Sequence, residues 1–174
     1  TNLSSSGGTD IFIAKLSDSG TWQWASRAGD SGNDCVNDIV VGLNHFWITG
    51  YFYGTVTFGN TELISSGSSD IFIGMIWTGG DNWLWAKKAG GTSSDGGEEL
   101  TLDGDENIYV SGNYKETAIF GSTSLTSAGS YDIFVAKLSD SGSWQWVVRA
   151  GGNSSDYSGD ILYSNGIIIT GSFK

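Results

Sequence analysis

The chain has 174 residues, 8 of them basic against 19 acidic, giving a formal charge of -11 and a pI near 4.1. Charge of that sign repels phosphate backbones and anionic headgroups, arguing against nucleic-acid reading and membrane-surface binding, and no apolar run approaches the ~20 residues of a membrane helix. Cys35 is the only cysteine, so no intrachain disulfide forms; 27 glycines, no proline and 13% aromatics in short runs read as all-β.

Residues 1–9 read as a loop in register with 61–69 and 123–131. Residues 11–16 are apolar on both faces, Ile11 and Ile13 on one, Phe12, Ala14 and Leu16 on the other, which predicts a strand covered from both sides. Ser17-Asp18-Ser19-Gly20 is a tight turn, and Trp22 to Ala28 returns as a second strand. Residues 29–37 form a polar loop, and 38–42 with 46–52 form the next hairpin around Leu43-Asn44-His45. The pattern then recurs, with Trp22, Trp83 and Trp144 spaced by 61 residues each time. A fixed period of that size means stacked supersecondary units that bury their apolar faces against one another. Each unit carries four short strands, the content of a propeller blade.

The string Asp132-Ile133-Phe134-Val135-Ala136-Lys137-Leu138-Ser139-Asp140-Ser141-Gly142, then Trp144, then Gly151-Gly152 and Ser154-Ser155-Asp156, then a hairpin ending Ile169-Thr170-Gly171, resembles bacterial β-propeller repeats of secreted and surface proteins. The resemblance covers essentially the whole chain and recurs three times. The middle unit departs at Gly74-Met75 and across residues 77–82, where its turn is longer. It implies an extracellular or cell-surface location and a role as building material, without naming an activity.

Counted in blades, residues 1–29 are a half blade, 30–90 and 91–150 are blades, and 151–174 are the complementary half, with seven residues lacking between the two ends. The chain starts at Thr1 without Met, as a processed or partial product would. A ring needs about four to eight blades, so three blade equivalents call for closure from outside. Either the half blades of two copies pair, giving a six-bladed ring or a head-to-tail filament, or the chain belongs to a longer one.

The Trp-x-Trp pairs, Trp22/Trp24, Trp83/Trp85 and Trp144/Trp146, are expected to set both indoles of a pair on one face, where they pack between blades or stack on sugars. Trp47, replaced by Tyr109 and Ile168 in the other units, Trp77, in a turn, and Tyr109 itself are read as exposed ligand or partner contacts. Arg27, Lys88 and Arg149 share one repeat position and Asp10, Asp70 and Asp132 another, which predicts a structural ion pair per blade. Asp34, Asp95 and Asp156, followed by Asp38, Glu99 and Asp160, are open to two readings: oxygen ligands for Ca²⁺, or acceptors that fix their loops through backbone N–H groups. Asp103-Gly104-Asp105-Glu106-Asn107 has the start of a calcium loop but no downstream Glu, and reads as a turn. His45, the only histidine, and Cys35 have no partner chemistry nearby for a metal site or a nucleophile.

Nearly every acid recurs in register, whereas catalytic propellers place reactive groups on particular blades. The sequence therefore points to a non-catalytic extracellular module acting through self-assembly and contact with surface proteins or glycans, in adhesion, matrix or filament. The alternative is a lectin-like binder with carbohydrate pockets between blades.

Overall fold

The computed structural model describes residues 2–174; Thr1, matched above with Thr61 and Thr123, lies outside them. The chain is all-β. In order, its strands are β1 (Ile11–Leu16), β2 (Trp22–Ala28), β3 (Cys35–Val41), β4 (His45–Phe58), β5 (Thr61–Trp77), β6 (Trp83–Gly91), β7 (Gly96–Leu102), β8 (Ile108–Phe120), β9 (Thr123–Leu138), β10 (Trp144–Ala150), β11 (Tyr157–Tyr163) and β12 (Ile167–Ser172). All pairings are antiparallel.

Strands β3 to β6 form one four-stranded blade and β7 to β10 the next, while β1–β2 and β11–β12 stand as two-stranded sheets. The first strands of successive units, β3, β7 and β11, lie side by side, so they are the innermost strands and line the axis of the array. Strand β3 begins at Cys35, inside the stretch expected to be loop, because the Asp34 carboxylate ties the end of that loop to β4 through the N–H of Tyr53 at 2.9 Å.

Residues 61–69 and 123–131, also expected as loops, are strand. Beyond a register shift between Tyr53 and Thr55, β4 and β5 stay paired out to Phe58↔Thr61, and β8 and β9 do the same out to Phe120↔Thr123. The turns at their tips use Gly59 and Gly121, both at φ +61°, a conformation glycine adopts freely. The second extension reaches back to the neighbouring blade, where Gly90 and Gly91 of β6 pair with Ile119 and Ala118 of β8. One hydrogen-bonded sheet therefore runs through both complete blades.

Apolar layers fill the gaps between blades. One joins Ile11 and Ile13 to Phe46, Phe52, Phe58 and Phe72. A second joins Ile71, Ile73 and Met75 to Phe120, Phe134 and Leu138. A small third joins Tyr109, Val135 and Ile161. Each third strand thus points its phenylalanine face at the preceding unit and its isoleucine face at the following one. In β1 only the isoleucine face is covered. Phe12 is 67% exposed where its counterparts Phe72 and Phe134 are 0%, so the expected two-sided burial of this strand is absent in the single chain.

Candidate functional site

Each unit carries the same knot of charge. Asp10 Oδ2 accepts from Arg27 at 2.8 Å, Asp70 Oδ2 from Lys88 at 3.3 Å, and Asp132 Oδ2 from Arg149 at 3.0 Å. The same oxygens accept backbone N–H groups of Ser6, Ser66 and Ala128. Among the described residues, Oδ1 of all three aspartates is buried without a donor. It lies over a glycine, Gly29, Gly90 or Gly151, whose φ of +145° to +151° is closed to other residues.

The loop carboxylates work beside them. Asp34 accepts from the N–H of Asp30 and Tyr53, Asp95 from Gly91 at 2.7 Å and Lys115 at 3.0 Å, and Asp156 from Gly152 at 2.7 Å and Lys174 at 3.0 Å. Every carboxylate oxygen of this set closes a loop. Groups of three or more His, Cys, Asp or Glu side chains fit to hold a metal are absent among the described residues. Burial pushes Asp34 and Asp70 up, and it pushes Asp95 up to about 6 against the two N–H bonds, with Asp70 and Glu116 adding repulsion. Asp38 bridges blades, its Oδ2 accepting the N–H of Leu100 at 2.7 Å. Glu99 is raised by burial and by the neighbouring Asp38 and Asp160.

The tryptophan pairs differ from their expected arrangement. Trp83 and Trp85 face Ile76 and Met75, consecutive residues, so a bulge inserts one residue between the indoles. The same irregularity separates Trp22 from Trp24 and Trp144 from Trp146. It cancels the two-residue alternation and sends the indoles to opposite faces: Trp83 packs in the first apolar layer, Trp85 against the second. Trp83 stands on Phe58 at 5.0 Å and Trp144 on Phe120 at 5.4 Å. Trp22, with no described ring against it, is 64% exposed.

Trp47 and Tyr109, expected as exposed contacts, are buried. Trp47 is 0% exposed within the second layer, because its position in β4 faces the next blade. Tyr109 donates to Asp103 Oδ2 at 3.0 Å and lies between Tyr163 and Lys137. Trp77 does remain a surface aromatic, at the long turn of the middle unit and over Gly79 and Gly80. Residues 103–107 form a turn. Burial raises the Asp103 carboxyl, but donors from Asn107, Tyr109 and Asp105 outweigh it and hold the group at about 2. His45 lies edge-on to Trp47, and Cys35 is a half-buried free thiol.

Residues that the sequence reading passed over converge on one cleft. At the end where β7 and β11 begin, Tyr51, Tyr53, Tyr131 and Tyr157 line an open cavity of about 250 Å³ with Asp95, Glu98 and Asn113. Tyr51 and Tyr53 meet edge to face at 6.1 Å, and Tyr131 and Tyr157 lie at 5.8 Å and 32°. Glu98 sits among them with Oε1 accepting from Asn113 Nδ2 at 3.2 Å and Oε2 from Asn37 Nδ2 at 3.1 Å. Burial raises both Glu98 and the Tyr51 hydroxyl. The available signal was departure from the repeat: Tyr51 and Tyr53 stand where the next unit has Asn113 and Lys115, and Tyr157 where the others have Cys35 and Gly96.

No family model matches the chain. Among curated proteins it is similar to an uncharacterised WD repeat-containing protein of Acanthamoeba polyphaga mimivirus, 27% identical over 110 residues, covering 52% of this chain and 8% of that protein. The chain thus spans less than a tenth of that relative's length. The likeness to a WD repeat protein accords with all-β, four-stranded repeats arranged as in a propeller.

Proposed function

We propose that the chain is a non-catalytic propeller module, extracellular or at a cell surface, that acts through assembly and surface contact. The observation that carries this reading is the mismatch between equivalent residues. Phe12 and Leu16 of β1 are 67% and 45% exposed, while Phe72, Phe134, Ile76 and Leu138, which hold the same positions in the complete blades, are buried. Ile168, Ile169 and Phe173 are open at the other end of the array. Exposed apolar faces beside unpaired strand edges are features that proteins normally cover.

The complete blades supply a template for what covers them. Pairing of β8 with β9 joins Val110 to Ala136, Gly112 to Phe134 and Tyr114 to Asp132. Transferred to the end strands, that register joins Ile169 to Ala14, Gly171 to Phe12 and Phe173 to Asp10. In a second copy seated this way, β12 of one chain completes the sheet of β1 in the other, and Phe12 enters the small third layer beside Tyr109 and Val135. Two copies close six blades if the rotation closes, and form a filament if it does not.

Light scattering on the 174-residue protein tests this. A mass of twice 18.4 kDa or a polymer is expected, with Phe12→Asp giving monomer and Leu43→Asp, at an exposed site elsewhere, changing nothing. A stable wild-type monomer of 18.4 kDa at micromolar concentration overturns the assembly reading.

A further inference from the structure

The tyrosine cleft calls for an explanation that repeat packing does not supply, since a packing requirement would recur in every unit as the pairing of Asp with Arg or Lys does. The four rings stand at positions where the repeat changes, and they come as two couples from different strands: Tyr51 and Tyr53 on β4, Tyr131 on β9 with Tyr157 on β11. Tyr157 is 43% exposed, so the cleft opens to solvent. Glu98 lies with them, oriented by two amides and lacking any basic residue among the cleft's lining. A half-buried carboxylate without a counter-charge favours a cation, and aromatic faces attract cations electrostatically when water is displaced. The protein's own Lys115 ammonium already lies 5.9 Å from the centroid of Tyr131.

We propose that this cleft binds an alkylated organic ammonium group, its methyl groups against the tyrosine rings and its charge opposite Glu98. A cavity of about 250 Å³ suits one such head group; drug-sized ligand pockets are typically larger, ~300–1,000 Å³. The overall charge of -11 draws cations toward the site, whereas a neutral sugar gains nothing from that field. The titration reads ligand binding at the cleft and the mass measurement reads association of copies, so the two fail separately.

The test is a titration of the 174-residue protein followed by amide resonances of Gly96 and Asn113. Four probes are used: choline, the Nα-acetyl amide of Nε-trimethyllysine, the Nα-acetyl amide of norleucine, and lactose. Saturable shifts with either cationic probe are expected, stronger with choline if the natural ligand is a small molecule and stronger with the lysine amide if it is a side chain. Norleucine amide and lactose should give none. Glu98→Gln, which keeps shape and removes charge, should weaken binding at least tenfold, and Tyr157→Ser, at an exposed site, should weaken it severalfold. Absence of shifts with both cations, equal binding of the norleucine amide, binding of lactose alone, or an unchanged affinity in Glu98→Gln overturns the proposal.

Discussion

At the scale of single residues, the chain's regularity resides in a glycine held between two carboxylates. A Cβ at Gly90 would sit 2.7 Å from Asp70 Cγ and 3.0 Å from Asp95 Oδ2, on a backbone at φ +145°. Gly90→Ala is expected to cost about 1–3 kcal/mol from backbone strain alone, and more once the carboxylates are displaced. Gly104→Ala, with open space around its Cβ and no positive φ, should stay within about 0.5 kcal/mol of wild type in urea melts. The charged positions of the knot were legible because three near-copies exposed them as a coincidence of Asp with Arg or Lys. The tyrosine cleft was not, because its residues come from five separate stretches that only the stacking of units brings together.

At the scale of elements, the sequence announced four strands per unit and misjudged where they stop. The Ser- and Gly-rich stretch 61–69 looks like loop, yet residues 61–64 pair with 55–58 because β4 and β5 continue, past an irregularity that leaves 65–68 without partners in β4, as a hairpin tipped by Gly59. The same blindness applied to the tryptophan strand. Alternation is read from spacing, whereas the bulge opposite Met75 and Ile76 depends on the partner strand, which spacing does not contain. Strand β1 offers the sharpest comparison. Phe72→Ala, fully buried, should cost about 3–5 kcal/mol. Phe12→Ala should leave the stability of the isolated chain within about 0.5 kcal/mol at submicromolar concentration, where copies are apart. On the proposed pairing of copies, it should then lower the melting temperature relative to wild type as concentration rises. Equal losses from both substitutions at every concentration would refute the distinction.

At the scale of the whole molecule, stability should respond to acid in an unusual sense. Asp95 titrates near 6 in the folded chain against 3.8 ordinarily, so the folded state binds more protons between those values. Its contribution is fully present below about 3.8 and is lost as pH rises through 6, and a displacement of that size corresponds to about 3 kcal/mol. Asp34, Asp70, Glu98 and Glu99 are raised as well and act in the same direction. Asp103, held at about 2, acts in the opposite one, its stabilisation fading as pH falls from 3.8 toward 2. Calorimetry at fixed concentration should therefore show the melting temperature climbing from pH 7.5 to 5 and turning down below 4. Asp95→Asn should flatten the climb while lowering stability throughout, since one of its two backbone donors loses its acceptor. A melting temperature constant between pH 7.5 and 5 would contradict this.

The two rungs between β6 and β8 give the array a mechanical character. Blades that touch only through side chains can be peeled apart by sliding grease over grease, but here Gly90 and Gly91 are laced to Ile119 and Ala118 by main-chain bonds. Tension applied along the row must shear that lacing before either complete blade can swing free. In an optical trap, the two should rip as a single event, not as a staircase of equal steps.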